Sequence, residues 1–140
     1  MKYGELKNLT TGLLMNDNVL PKDDNVTKSL LGYAFSMISD KAEALHLLTL
    51  NKSQDINRLA TGEYLLRNPE LPENDDSELD IDHELCYAAA RYIAAMISKE
   101  KTAIHQQYGD DIIIKYNGKV YQILESITKD EGDTNGWFYC

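Results

Sequence analysis

The sequence is poor in cysteine, in basic residues and in long apolar stretches, and each shortage argues against a class of protein. Two cysteines in 140 residues are too few for a disulfide scaffold or a cysteine-based metal motif. Fourteen Lys and Arg stand against 23 Asp and Glu, and the net charge of −9 opposes binding to nucleic-acid phosphates. Since no apolar run approaches the roughly 20 residues that span a bilayer, we expect no membrane association.

Residues that usually carry catalysis or bind cofactors are scattered along the chain. None of the three histidines (His46, His83, His105) pairs with another ligand at helical spacing in a zinc-like pattern, and His83-Glu84 lacks the second histidine of a metalloprotease helix. The sequence has no glycine-rich phosphate loop and no recognisable set of nucleophile, base and orienting group. Its acidic segment lacks the glycine and the terminal glutamate of an EF-hand. We therefore predict that the chain is not an enzyme and binds no cofactor or metal.

Helical periodicity dominates the first third of the chain. Leucines recur at helical spacing over residues 3–15, and two apolar stripes run along residues 25–45. We predict a helix over each of these ranges. Residues 46–67 fit a helix, a strand or an extended arm, and the pattern leaves their structure open.

An acidic segment then switches abruptly to an apolar one. From Glu70 to Glu84 there are eight Asp or Glu and no Lys or Arg. Pro69 and Pro72 exclude a regular helix at the beginning of this acidic segment. Between Leu85 and Ile97 the only charge is Arg91. The alanine-rich stretch that follows predicts a long central helix over about 83–107, entered from a solvated loop.

The carboxyl-terminal part favours strands. Residues 111–127 contain two β-prone runs around Asn117-Gly118, a pair that suits a type I′ turn, and they predict a β-hairpin. The last residues, 128–140, are polar and predict an extended arm. The fold class is therefore mainly α, a small helical bundle around the central helix, with one domain over 1–127 and the arm beyond it.

Aromatic residues near the carboxyl terminus are candidates for a protein interface, because aromatic side chains dominate interface hot spots. The pattern does not decide whether the arm and the hairpin pack on their own domain or on a neighbouring molecule. The candidates are Trp137, Phe138 and Tyr139 in the arm, and Tyr116 and Tyr121 in the hairpin.

The order of these segments resembles a known family over about residues 1–105. The first helix begins Tyr3-Gly4-Glu5-Leu6-Lys7, and a second helix of similar length follows. A proline-containing acidic segment then leads into Glu84-Leu85-Cys86-Tyr87-Ala88-Ala89-Ala90. This pattern resembles the head–tail connector proteins (adaptor or neck-ring proteins) of tailed double-stranded DNA bacteriophages.

The resemblance implies a structural protein of the virion, made in the host cytoplasm and located at the head–tail junction. It implies a homo-oligomeric ring of about twelve copies that joins the portal protein to tail or neck proteins and extends the DNA channel. The acidic charge suits a channel that DNA passes without specific binding. We expect Asp75, Asp76, Glu78 and Asp80 to face that channel.

A second hypothesis comes from a different class of protein. A small chain with clustered carboxylates could be an intracellular inhibitor that mimics DNA and blocks a DNA-binding enzyme. A mimic needs carboxylates spread over a long surface, whereas here they concentrate in one segment. The connector hypothesis is therefore preferred.

Overall fold

The chain is mainly helical, as predicted. Its structure, a computed structural model, describes residues 1–15, 18–42, 56–58, 64–66 and 69–131. Within these ranges, β1 and β2 form an antiparallel pair in which Asn57 lies opposite Leu65. The elements in chain order are α1 (Tyr3–Leu14), α2 (Asp24–Lys41), β1 (Ile56–Arg58), β2 (Tyr64–Leu66), α3 (His83–Ile97) and α4 (Thr102–Glu131).

Helix α3 is the element on which the other helices pack. Helices α1, α2 and α4 all contact it. Its small side chains allow this, because alanine lets a neighbouring backbone approach closely without leaving a void. The residues of α3 that are buried in these contacts are Leu85, Cys86, Ala88, Ala89, Ala90, Tyr92, Ile93, Ala94 and Ala95.

The central helix predicted over 83–107 has the correct first residue, but the observed helix ends about ten residues earlier than predicted. Helix α3 stops at Ile97, whose carbonyl accepts a hydrogen bond from the Asn18 amide at 3.0 Å. The Ser98 hydroxyl then accepts from the Lys101 N–H at 2.9 Å, as an N-cap does. The chain reverses at this short connection, so residues 102–107 belong to the next helix.

The predicted β-hairpin over 111–127 is wrong, because these residues lie inside α4. His105, Gly109, Ile113 and Tyr116 are buried at spacings of three and four residues, the pattern of one helix face. In a strand, Ile112 and Ile114 would share a face, yet Ile112 is half-buried and Ile114 is 67% exposed. Packing against α3 therefore outweighs the β-propensity of the isoleucines, which depends strongly on context.

The dipeptide Asn117-Gly118 has a different role from the predicted turn. The Asn117 side-chain amide donates to the carbonyl of Lys41 at 2.8 Å, which satisfies an acceptor at the carboxyl end of α2. Gly118 is exposed on α4. The pair thus joins two helices instead of reversing the chain.

Other predicted boundaries also change. Helix α2 spans 24–41 instead of 25–45, and Ala42 has an extended backbone. The boundary predicted at 127 lies within α4, so residues 128–131 of the predicted arm are helical. The rest of the arm, residues 132–140, lies outside the described residues.

Helix α4 approaches α3 closely at Gly109. A Cβ atom added there would lie 2.9 Å from Cε1 of Tyr92, whose ring is fully buried. The Tyr92 hydroxyl donates to Asp110, which also accepts from the Lys41 ammonium at 2.8 Å. The contact therefore links α2, α3 and α4 at one place.

Gly109→Ala should destabilise the protein by about 1–3 kcal/mol, because the buried Tyr92 ring has little room to move away from the new methyl group. Urea denaturation monitored by circular dichroism measures this change. Unchanged or increased stability would contradict the close packing of α4 on α3.

Gly118→Ala should instead stabilise the protein by about 0.5–1 kcal/mol, the usual gain for an exposed glycine inside a helix. An added Cβ at Gly118 meets no described atom within 4 Å. In a type I′ turn the same change would be destabilising, since both central residues need positive φ. Gly12→Ala in α1, where the space is also open, is the matched control.

Candidate interaction surface

The acidic segment, residues 70–82, is called the acidic loop from here on, and it is bound to the start of α1. The Tyr3 N–H donates to the Ser77 carbonyl at 3.0 Å, and the Gly4 N–H donates to the Asp75 carbonyl at 2.9 Å. These contacts satisfy N–H groups of the first helical turn, which have no partner within the helix. A Cβ at Gly4 would lie 3.2 Å from Cβ of Asp75, so a glycine suits this approach.

Charged side chains reinforce this contact. The Lys7 ammonium lies 2.7 Å from Asp75, and the amino group of Met1 lies 3.1 Å from Glu78. Asp80 is half-buried and accepts from the N–H of Glu70 at 2.8 Å. Asp75 and Glu78, both predicted to face a channel, therefore pair with cations of the same chain.

These carboxylates still face solvent. The side chain of Asp75 is 64% exposed and that of Glu78 is 69% exposed. Asp76 is exposed as well. The acidic loop thus presents these three carboxylates, and those of exposed Glu70 and Glu73, on one stretch of surface.

Asp24 connects the acidic loop to α2. It accepts from the Tyr3 hydroxyl at 2.9 Å and from Lys7 at 3.2 Å, and Lys28 lies 3.6 Å away. Burial acts to raise the pKa of Asp24, but the hydrogen bonds from Tyr3 and Lys7 outweigh it and the pKa is lowered. The ionised carboxylate is therefore part of the folded structure.

A groove of about 520 Å³ lies between α1, α3 and α4. Its apolar lining comes from two leucines of α1, a tyrosine of α3 and an isoleucine of α4: Leu9, Leu13, Tyr87 and Ile112. Its charged rim consists of three cations and one carboxylate: Arg91, Lys115, Lys119 and Glu84. A groove that combines an apolar floor with charged groups on its rim is typical of sites that bind an amphipathic segment.

The rim charges are held in different ways. Lys119 pairs with Glu84 at 2.9 Å. Arg91 lies over the ring of Tyr108 at 4.6 Å and is 3.1 Å from Nδ1 of His105. Lys115 is exposed. Since one carboxylate faces three cations, the rim favours an acidic partner.

The aromatic residues predicted to form an interface are in different situations. Tyr116 is 3% exposed, and its hydroxyl donates to Asp82, so in this protomer the side chain belongs to the core. Tyr121 is a residue of α4, and its side chain lies outside the described part. Trp137, Phe138 and Tyr139 also lie outside the described residues.

Nothing within the described residues resembles a catalytic or metal centre. No group of three His, Cys, Asp or Glu in these ranges could hold a metal ion. Cys86 is fully buried, and burial raises the pKa of its thiol to about 11, which keeps it protonated and unreactive. In the same ranges no helix is long and apolar enough to cross a bilayer.

The groove was not predicted from the sequence. Leu9 and Leu13 share one helix face with Leu6, and their spacing indicates only that they are buried. Leu6 is fully buried whereas Leu9 and Leu13 are half-buried. Arg91 interrupts an apolar face and is the one signal in the sequence that this side of α3 reaches the surface.

Asp24→Asn should destabilise the protein by about 1 kcal/mol at pH 7, since a partly exposed charged hydrogen-bond network is lost. A carboxyl group with a lowered pKa contributes stability above the ordinary Asp value of about 3.9, and the contribution disappears as the pH falls through the folded pKa. The difference from wild type should therefore shrink below about pH 4. Urea midpoints between pH 7 and pH 3 measure it.

Asp76→Asn is the control for this experiment, because Asp76 is exposed and makes no ion pair within the described ranges. It should change stability little at any pH. A difference between Asp24→Asn and wild type that stays constant down to pH 3 would show that the ionised carboxylate is not what stabilises the network.

The comparisons with known proteins identify no relative. No family model, no curated protein and no solved structure matches the chain. The likeness to head–tail connectors therefore depends on the order and spacing of the segments in the sequence, and the function that follows from it is a proposal.

Proposed function

We propose that this chain is a structural protein of a tailed double-stranded DNA bacteriophage, forming a ring that joins the portal to the tail and extends the DNA channel. The observation that carries the proposal is that the two segments behind the resemblance, 3–7 and 84–90, pack together in one core. Helix α1 lies against α3, and the acidic loop that precedes α3 is bound to the start of α1.

The residues of these segments explain why they would occur together. Tyr3 and Leu6 are fully buried, and so are Ala88, Ala89 and Ala90. Small residues on α3 admit the large side chains of α1, so each segment needs the other. The pattern is thus a packing unit of a helical domain, which suits a structural protein better than a catalytic one.

The exposed carboxylates support a role beside DNA. Asp75, Asp76 and Glu78 are exposed on the acidic loop. In a ring, such groups on the inner wall would repel the phosphates, so DNA would pass without adhering. Lysines on that wall would bind the phosphates instead.

In this proposal the partners are other copies of the chain, about twelve in the ring, with the portal protein on one side and tail or neck proteins on the other. The groove between α1, α3 and α4 is a surface that such a contact could use. The protein is made in the host cytoplasm and ends at the head–tail junction of the virion.

The alternative, an inhibitor that mimics DNA, has less support. A mimic must present uncompensated carboxylates at phosphate-like spacing over a long surface. The exposed carboxylates of the acidic loop, Glu70, Glu73, Asp75, Asp76 and Glu78, lie within one short segment. The acidic loop is therefore a poor imitation of a phosphate backbone.

Quantitative mass spectrometry on density-purified phage particles tests the proposal. We expect peptides of this chain in a constant ratio to the portal protein, near one copy per portal subunit. A non-structural phage protein that is abundant in the same lysate serves as the control and should be lost during purification. Absence of the chain from particles, although it is abundant in infected cells, would refute the connector function.

A further inference from the structure

We propose that the acidic–aromatic segment 130–139 of one copy docks into the groove between α1, α3 and α4 of another copy. The inference rests on the proposed ring, because it names the contact that would join neighbouring copies in it. It depends on three observations: the chemistry of the groove, the chemistry of the segment, and the length of chain that connects them.

The groove has room and the right chemistry for bulky apolar side chains next to carboxylates. About 520 Å³ would accommodate one large aromatic side chain or two. Leu9, Leu13 and Tyr87 supply apolar contact surface, and none of them is fully buried in the protomer. The cations Arg91 and Lys115 lie on the rim.

The segment from Asp130 onward has the complementary composition. It carries Asp130, Glu131 and Asp133, and no Lys or Arg occurs between residues 130 and 140. Trp137, Phe138 and Tyr139 follow directly. The carboxylates of the segment would be attracted to the cationic rim, which raises the rate of association. The aromatic side chains that follow would pack on the apolar floor, which provides the affinity.

The length of the chain favours a second copy as the partner. Lys119, the groove residue nearest the end of α4, lies twelve residues before Glu131, which is about 18 Å along the helix axis. The six residues from Glu131 to Trp137 span at most about 21 Å when fully extended. In its own protomer Trp137 would barely reach Lys119. Ile112, about 10 Å further along α4, would come within reach of Tyr139 only if the chain were fully extended.

Docking between copies has a consequence for the assembly. The segment and the groove are different surfaces, so each copy would give its segment to one neighbour and receive that of another. When donor and acceptor are different neighbours, such a heterologous contact generates a closed ring or an open filament, whereas reciprocal exchange between two copies would close a dimer. This agrees with the ring of the proposed function.

Cross-linking of the full-length chain tests the docking. Lys115→Cys places a new thiol on the rim of the groove, where Arg91 and Lys119 still supply positive charge, and the native Cys140 follows the aromatic residues. A short bismaleimide should then join copies into covalent dimers and longer ladders on a denaturing gel. Buried Cys86 should not react. Ser36→Cys, an exposed position on α2, is the matched control and should not give the ladder.

The triple change Trp137→Ala, Phe138→Ala and Tyr139→Ala in the Lys115→Cys protein should abolish the ladder. A cross-link within one chain, seen as a shifted monomer band, would overturn docking between copies. An unmodified monomer would overturn it as well, and so would a ladder that survives the triple change.

The same measurements separate this inference from the proposed function. If the chain is present in phage particles but Lys115→Cys gives no ladder, the docking is wrong and the connector function stands. If the ladder forms and depends on the aromatic residues but the chain is absent from particles, the docking stands and the connector function is wrong.

Discussion

The close approach of α4 to α3 is the constraint on which the rest of the fold depends. Gly109 lies against the buried ring of Tyr92, and Asp110 beside it binds both the Tyr92 hydroxyl and Lys41 of α2. The contact holds α4 in the position where Ile113 and Tyr116 are buried against α3. It also sets Lys115 and Lys119 beside α1, so the groove exists only because α4 lies there.

The acidic loop, which precedes α3, stabilises the fold and still exposes negative charge to solvent. Backbone hydrogen bonds and the Lys7 ion pair hold the loop to α1, while its carboxylates remain exposed. One protomer thus has an acidic surface and a groove with a cationic rim on different elements. In the proposed ring the acidic surface would face the DNA channel, and the groove would receive segment 130–139 of a neighbouring copy. This is the physical link between the fold and the proposed ring.

Local sequence patterns correctly predict those helices whose apolar stripe is also the face that packs against a neighbouring helix. The presence of α1 and α2 and the first residue of α3 follow from apolar spacing and from the change of charge after Glu84, although α2 ends earlier than predicted. The hairpin prediction failed because Ile112, Ile113 and Ile114 favour strands locally, and only the contact with α3 makes the helix more stable. The break after Ile97 depends on the hydroxyl of Ser98, a weak signal among several serines.

The groove could not be predicted, because it is a property of three helices at once. Periodicity tells which face of a helix is apolar, but it does not tell how far neighbouring helices extend over that face. Leu13 is half-buried and Tyr87 is 42% exposed, and both line the groove between the three helices.

The conformation of residues 102–131 decides most directly whether this account is right. Backbone chemical shifts and nuclear Overhauser effects from an isotope-labelled sample measure it. We predict continuous helical shifts through Ile112–Lys119 and a contact between the Gly109 α-protons and the Tyr92 ring. Strand-like shifts with cross-strand contacts around Asn117-Gly118 would contradict the account, since neither the groove nor the packing on α3 would then exist.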